Sequence, residues 1–177
     1  MKQLFSIIFM TFLSLGAVGQ TFISVTDLLG MRTSFIKKNN HWQNIVSSRG
    51  YNKSRTIEDE LYIYKNCRLS FVDDGSDFTN GQVVEADNKN PNASIVNIYK
   101  DVFNWYEYLH IFVIVYGKSN GQKWITQLSS LGYRKNNNIS SSGYWYYEKK
   151  GSPDITLTCE GMTYRLETMI KGDYVME

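Results

Sequence analysis

The chain has little proline, little histidine and almost no net charge. Only 2 prolines occur in 177 residues, against 13 Tyr, 9 Phe and 4 Trp, and this composition excludes a disordered chain. Nineteen Lys and Arg against 17 Asp and Glu give a formal charge of +2. That balance argues against a nucleic-acid binder that depends on phosphate neutralisation. The length and the 42% hydrophobic content are typical of one globular domain, or two small modules, with a core of their own.

The usual signatures of catalysis are also missing. The two histidines, His41 and His110, have no spacing that suggests zinc, and there is neither a glycine-rich phosphate loop nor a Gly-x-Ser-x-Gly elbow. Both histidines lie beside apolar residues and are interpreted as structural. The acidic cluster Asp73–Asp77 lacks the ligand spacing of a calcium loop. We therefore predict no catalytic residue, no metal and no cofactor.

The N-terminus has the features of an export signal. Lys2 is followed by the apolar run Leu4–Leu15 and by the small residues Ala17 and Gly19 at a cleavage site. The run of 12 residues is shorter than the roughly 20 needed to span a bilayer. We predict a signal peptide at 1–19, a periplasmic or secreted protein, and no membrane span in the mature chain.

The two cysteines allow two interpretations in an exported chain. If Cys67 and Cys159 form a disulfide, they close a loop of about 90 residues, which would stabilise the fold by about 4–5 kcal/mol. Two buried thiols would give the same sequence pattern. Both alternatives stay open at this point.

The sequence contains an internal similarity. With an offset of 82 residues, 9 of the 24 positions from Trp42 to Lys65 are identical to those from Trp124 to Tyr147, without a gap. The identical pairs are Trp42/Trp124, Ser47/Ser129, Ser48/Ser130, Gly50/Gly132, Tyr51/Tyr133, Lys53/Lys135, Ile57/Ile139, Tyr62/Tyr144 and Tyr64/Tyr146. We predict a tandem repeat, with one copy at 20–116 and the other at 117–177.

Each copy predicts a helix followed by three strands. The helices end at Gly50 and Gly132, where a left-handed residue is favoured. The segment 73–91 is rich in Asp, Asn and Gly and predicts a hairpin or long loop inserted in the first copy. The expected fold is α+β: two tandem α-β-β-β repeats packed as one mainly antiparallel sheet with helices on one face.

Alternation within the strands assigns the two faces of this sheet. Leu61 and Ile63 are aliphatic and are expected beneath the helices, so the intervening residues point to the opposite, open face. The residues predicted to bind a partner on that open face are Tyr62, Tyr64, Tyr144, Tyr146, Thr156, Thr158 and Arg165. Tyrosine and arginine are common at protein-binding hot spots, although a solvated sheet with aromatic cross-strand pairs would have the same composition.

These motifs also resemble known proteins. The exported start, the helix endings Ser47–Tyr51 and Ser129–Tyr133, and the two Tyr-x-Tyr strands are similar to small secreted or periplasmic bacterial proteins with tandem helix-plus-sheet repeats. In architecture alone, the layout resembles the β-lactamase inhibitor proteins. That resemblance implies an open sheet face that grips an enzyme.

The leading hypothesis is therefore a non-enzymatic exported binding module, immunity- or inhibitor-like, that masks a partner protein such as a toxin or a hydrolase. The alternative is an envelope enzyme or glycan-binding protein that uses Trp105, Tyr106 and Tyr108 as an aromatic platform near acidic residues. A deep pocket that holds His110 with a carboxylate would favour this alternative. A third interpretation is a structural component of the envelope.

Overall fold

The computed structural model describes residues 22–57, 59–72, 82–85 and 90–174. The predicted signal peptide, 1–19, and the acidic cluster Asp73–Asp77 lie outside these residues. The described chain has an α+β fold with one mainly antiparallel sheet, and this confirms the expected fold class.

The fold contains three helices and ten strands in the described residues. In chain order they are α1 (Val25–Ile36), α2 (His41–Ser48), β1 (Lys53–Ile57), β2 (Glu60–Lys65), β3 (Leu69–Val72), β4 (Gln82–Glu85), β5 (Ser94–Phe103), β6 (Tyr106–Tyr116), α3 (Lys118–Ser130), β7 (Arg134–Lys135), β8 (Tyr144–Glu148), β9 (Ile155–Glu160) and β10 (Thr163–Tyr174).

Eight strands form the main sheet in the order β1-β2-β5-β6-β10-β9-β8-β7, and all neighbours are antiparallel. Strands β3 and β4 pair with each other in a separate two-stranded sheet. Strand β4 lies within the segment 73–91, for which the sequence predicted a hairpin or long loop. Two consecutive halves of the chain build the sheet from its two edges inward. Their innermost strands, β6 and β10, pair at the centre.

The first half contributes two helices and the second half one, and each half contributes four strands of the main sheet. The expected number of three strands per copy is therefore wrong. The additional strands are the edge strands β1 and β7, which lack an alternating pattern and are exposed. The duplication itself stays a prediction.

The helix endings of the two halves have the same local geometry. Gly50 and Gly132 adopt left-handed φ values of 78° and 83°, as the sequence predicted. The N–H of the next residue, Tyr51 or Tyr133, donates to the carbonyl five residues earlier at 3.1 and 2.9 Å. This is the Schellman arrangement, in which the backbone reversal satisfies a carbonyl of the last helical turn.

A lysine from the strand region that follows caps the C-terminal end of α2 and of α3. The ammonium groups of Lys65 and Lys149 donate to the carbonyls of Arg49 and Leu131, at 2.7 and 2.8 Å. Each ammonium also lies 5.9 Å from the ring centroid of the tyrosine that follows the glycine. A cation at the C-terminal end of a helix is favoured by the helix dipole.

The core lies between the three helices and one face of the sheet, here called the first face. Trp124 of α3 is 2% exposed, and its indole N–H donates to the carbonyl of Ile23 at 2.9 Å. Strand residues predicted to point inward are buried in this core, among them Ile63, Leu157 and Leu166. None of the helices in the described chain has the length and apolar content required to cross a membrane.

The two cysteines are not joined by a disulfide. The thiol of Cys67 lies beside the first residue of β5, Ser94, at 3.8 Å from its carbonyl oxygen, whereas Cys159 belongs to β9. Three strand spacings, about 14 Å, separate β5 from β9, and a disulfide needs Cα atoms within about 7 Å. Of the two alternatives left open by the sequence, a disulfide or two separate thiols, the structure contains two separate thiols.

A tight approach of α3 to the sheet makes Gly121 sensitive to any side chain. A Cβ atom at this position would lie 2.1 Å from Cδ1 of the Tyr164 ring. We expect Gly121→Ala to lower the free energy of unfolding by about 1–3 kcal/mol because the ring must move. An alanine in an unhindered helix would instead stabilise it by about 1 kcal/mol.

The matched control is Gly30→Ala in α1, where the added Cβ would lie 3.0 Å from the flexible end of Ile45. This variant should change the stability by less than about 1 kcal/mol. Urea unfolding of both variants provides the measurement. A Gly121→Ala protein as stable as the parent would contradict the packing described above.

Candidate functional site

The second face of the sheet, opposite the helices, has an ordered arrangement of tyrosines and charged residues. The pairing register aligns its side chains in two adjacent rows that cross seven strands from β1 to β8. The first row is Lys53, Tyr64, Ile95, Ile114, Arg165, Thr158 and Tyr144. The second row is Arg55, Tyr62, Asn97, Phe112, Glu167, Thr156 and Tyr146.

All seven residues predicted for the open face therefore lie in these two rows. The four tyrosines are half-buried, and the three described helices pack on the first face. The middle of the rows is more enclosed than an open face would be: Ile95 is 2% exposed and Asn97 is fully buried. The second face therefore has a buried centre, and half-buried tyrosines lie on either side of that centre.

A charged cluster lies at the centre of the second face. The carboxylate of Glu167 bridges two partners: one oxygen lies 2.7 Å from Nδ1 of His110, and the other accepts from Arg165 at 2.9 Å. The His110 and Glu167 side chains are only 13% and 14% exposed. Because solvent has little access to this pair, its geometry is fixed more firmly than that of a surface ion pair.

Aromatic rings support the charged cluster. The ring of Tyr99 stacks on His110 with a centroid distance of 4.5 Å and an interplanar angle of 8°. The Arg165 guanidinium lies 3.8 Å from the centroid of the Phe112 ring and bonds to the Tyr99 hydroxyl. Burial raises the pKa of Tyr99, and the negative charge of Glu167 adds to that rise.

A second group of hydrogen bonds is formed around a carboxylate of β2, beside the charged cluster. Glu60 accepts hydrogen bonds from the amide of Asn97, at 2.9 Å, and from the hydroxyl of Tyr62. Two buried atoms of these two groups, Oδ1 of Asn97 and Nε of Arg165, have no hydrogen-bond partner among the described residues. The two groups bring together polar side chains from β2 and β5 and from β6 and β10.

A groove of about 300 Å³ opens beside the cluster, where β9 begins. Tyr108, Tyr146 and Lys171 line it together with the carboxylates of Asp154 and Glu167. A hydrogen bond from the Tyr146 hydroxyl to Asp154, together with burial, raises the pKa of Tyr146 to about 12. His110 is not among the residues that line this groove, so the groove is not the pocket around His110 that would have favoured an enzyme.

The charged cluster consists of hydrogen-bond donors and acceptors held by one another. His110 uses Nδ1 for Glu167, and in the described chain no hydroxyl or thiol nucleophile is bonded to its other nitrogen. The described residues contain no group of three or more His, Cys, Asp and Glu side chains able to hold a metal ion. What the arrangement offers is a set of preorganised donors and acceptors between tyrosines.

The residues predicted for the open face did not include Asn97, Tyr99, His110 or Glu167. His110 was interpreted as structural, and a carboxylate partner for it was considered only under the enzyme or glycan-binding alternative. Glu167 lies two residues after Arg165 and so on the same side of its strand, but no pattern indicated its contact with a histidine 57 residues earlier. His110 lies in an apolar strand, and only its alternation with buried Ile111 could have indicated its face. The predicted platform is divided, since Tyr108 lines the groove whereas Trp105 is exposed at a hairpin turn.

Comparison of the chain with models of protein families, with curated proteins and with solved structures gives no match.

The raised pKa of Tyr146 predicts a change of stability at alkaline pH. The folded state holds this proton up to about pH 12, whereas the unfolded chain releases it near pH 10. The contribution is therefore fully present below pH 10 and is lost as the pH rises toward 12. Tyr146→Phe and Asp154→Asn should each reduce the loss of stability across this range.

Urea unfolding at pH 9, 10 and 11 measures this effect. The two variants act on opposite partners of the same hydrogen bond, so they should flatten the profile to a similar extent. Profiles parallel to that of the parent would mean that the bond contributes nothing to alkaline stability.

Proposed function

We propose that this protein is a non-enzymatic exported binding module that masks or inhibits a partner protein through the second face. Its periplasmic or secreted location rests on the N-terminal signal predicted from the sequence. The partner is a protein whose activity is blocked by contact, such as a toxin or a hydrolase.

The extent of the two rows is the observation that carries the proposal. Tyr62 and Tyr64 lie on β2, and Tyr144 and Tyr146 lie on β8, five strand spacings away. That separation is about 24 Å. A standard protein interface covers about 800 Å² on each partner, which corresponds to a disc roughly 30 Å across. The tyrosines thus span the width of a protein interface, far more than one small ligand would contact.

The internal order of the second face also supports protein binding. Glu167 and Arg165 are fixed by each other, by His110 and by the Phe112 ring. Side chains that are already held lose less entropy when a partner arrives. Charges of both signs in fixed positions favour one partner orientation over others. The face therefore combines aromatic contact area with a charge pattern able to select a partner.

Single substitutions on opposite sides of the face test the proposal. A partner recovered from the native periplasm on the immobilised parent protein would be purified and titrated against Tyr64→Ala and Tyr146→Ala. Each variant should weaken binding by tenfold or more, because hot-spot tyrosines contribute a large share of interface energy. Thermal unfolding should show that both variants still fold.

The matched control is Lys123→Ala on the exposed side of α3, which should bind like the parent. If the partner binds Tyr64→Ala and Tyr146→Ala as tightly as the parent, the second face is not the interface. If the periplasm yields no partner that can be titrated, the proposal also fails.

The groove favours one second candidate, a glycan-binding protein. Tyr108, which the sequence placed in an aromatic platform, lines the groove with Tyr146 and with the carboxylates of Asp154 and Glu167. An aromatic ring beside hydrogen-bond acceptors and a lysine suits a saccharide, which offers an apolar ring face and hydroxyl groups. Within the groove there is space for one or two sugar rings.

Calorimetric titration with soluble β-1,4-linked glucose and N-acetylglucosamine oligomers tests this candidate. If it is correct, a saccharide should bind the parent and Tyr64→Ala equally, because Tyr64 lies outside the groove. Tyr108→Ala should abolish the heat of binding. If neither series gives a binding heat, glycans of these two types are excluded as ligands.

A further inference from the structure

The β5–β6 hairpin, with β10 paired beside β6 as far as Tyr106, extends beyond the ends of β2 and β9. Strand β2 accompanies β5 only as far as Ile98, and β9 accompanies β10 only as far as Glu167. The β5–β6 pairing continues to Phe103 and Tyr106. On the β2 side, residues 99–103 of β5 therefore extend about 17 Å beyond the last residue that pairs with β2.

The turn of this hairpin has an unusual residue for its backbone conformation. Asn104 and Trp105 have φ values of 48° and 66°, so both central positions of the two-residue turn are left-handed. Such turns strongly prefer Asn followed by Gly, because a bulky side chain is strained at positive φ. Trp105 occupies the position at which glycine would be relaxed.

The strain is not offset by burial of the indole. Trp105 is 53% exposed, and its neighbours Val102 and Phe103 are 58% and 63% exposed. Large apolar side chains gain stability from leaving water, and each of these three residues stays more than half exposed. Residues 102–105 are here called the hairpin tip. The hairpin tip places exposed apolar surface at the end of the hairpin, beyond the last paired residues of β2 and β9.

We propose that the hairpin tip is the anchor by which this protein enters an apolar cleft of its partner protein, with Trp105 and Phe103 as the inserted side chains. This inference rests on the proposed function and adds a site to it. Phe103 lies on the same side of the sheet as Tyr62 and Tyr64, so a partner on the second face also reaches the tip. Strained or exposed aromatic side chains are typical of interaction sites.

The charges around the tip favour a protein over a lipid surface. Lys100 and Lys171 are matched by Asp101 and Glu107, and Lys100 is paired with Glu107 at 2.7 Å. A site for anionic lipid needs an excess of basic residues, which this end of the sheet lacks. Interspersed charges of both signs around an apolar centre match the polar rim of a protein interface.

A second copy of the chain is a poor match for the same site. From residue 99 to residue 103, the outer edge of β5 has no strand partner in the described chain. A two-fold antiparallel pairing that used this whole edge would centre on Asp101 and set it opposite its own copy. Like charges directly opposite are destabilising. The occupant we commit to is therefore a different protein.

Trp105→Gly separates the binding role from the fold. Glycine suits the turn, so the melting temperature should stay within about 3 °C of the parent or rise. The affinity of Trp105→Gly for the partner recovered on the immobilised parent protein should fall about 30-fold. Phe103→Ser should weaken binding by tenfold or more, and Ile139→Ser, also at an exposed apolar residue, should bind like the parent.

A photo-crosslinking benzophenone amino acid at position 105 provides the direct contact test. A covalent adduct with that partner, lost when unlabelled parent competes, supports the inference. If Trp105→Gly and Phe103→Ser bind like the parent while Tyr64→Ala does not, the tip proposal is wrong and the proposed function stands. If Tyr64→Ala also binds like the parent, the second face has failed as well.

Two other results would overturn the choice of occupant. Trp105-dependent sedimentation with vesicles of phosphatidylethanolamine and phosphatidylglycerol would assign the tip to a bilayer. An adduct between two copies of the chain, with a Trp105-dependent dimer in light scattering, would assign it to self-association.

Discussion

The antiparallel pairing of β6 with β10 is the constraint on which the rest of the molecule depends. It joins the four strands of the first half to the four strands of the second half. Its register also decides which side chains meet the helices. Val113 and Leu166 face the core as a directly opposed pair, whereas Phe112 and Glu167 oppose each other on the second face. A slip of one residue would exchange these faces and bury a carboxylate under the helices.

The same pairing creates the charged cluster. His110 and Glu167 are distant in sequence and become neighbours because their strands lie side by side at the centre of the sheet. Arg165, two residues before Glu167, then projects from the same face and covers the Phe112 ring. The second face is consequently not a separate addition to the fold. It is the outer surface of the contact that holds the two halves together, so its side chains also contribute to the stability of the fold.

Much of this architecture could be predicted from local patterns. A period of two in Leu61–Tyr64 and in Ile155–Thr158 fixes which side chains are inward, because alternation is a property of each strand alone. The helix endings were predictable for the same reason, since Gly50 and Gly132 act within one turn. Both features need no knowledge of distant contacts.

What could not be predicted depends on pairing between distant segments. Strand β1 shows no alternation because most of its residues are exposed, and β7 has only two residues. The cluster around His110 requires the register of β6 and β10, which no local pattern encodes. The distance between the cysteines likewise depends on the order of strands in the sheet. Trp105 did leave a local signal, an Asn followed by a bulky residue between two strands, but only the backbone revealed its left-handed conformation.

The margins of the sheet limit how the molecule can meet other chains. At one margin β7 offers only two residues for pairing, and at the other β1 carries Lys53 and Arg55 among exposed side chains. Natural sheets use short or charged outer strands to discourage open-ended growth into fibres. At these two margins the sheet therefore offers another strand either a very short edge or a charged one.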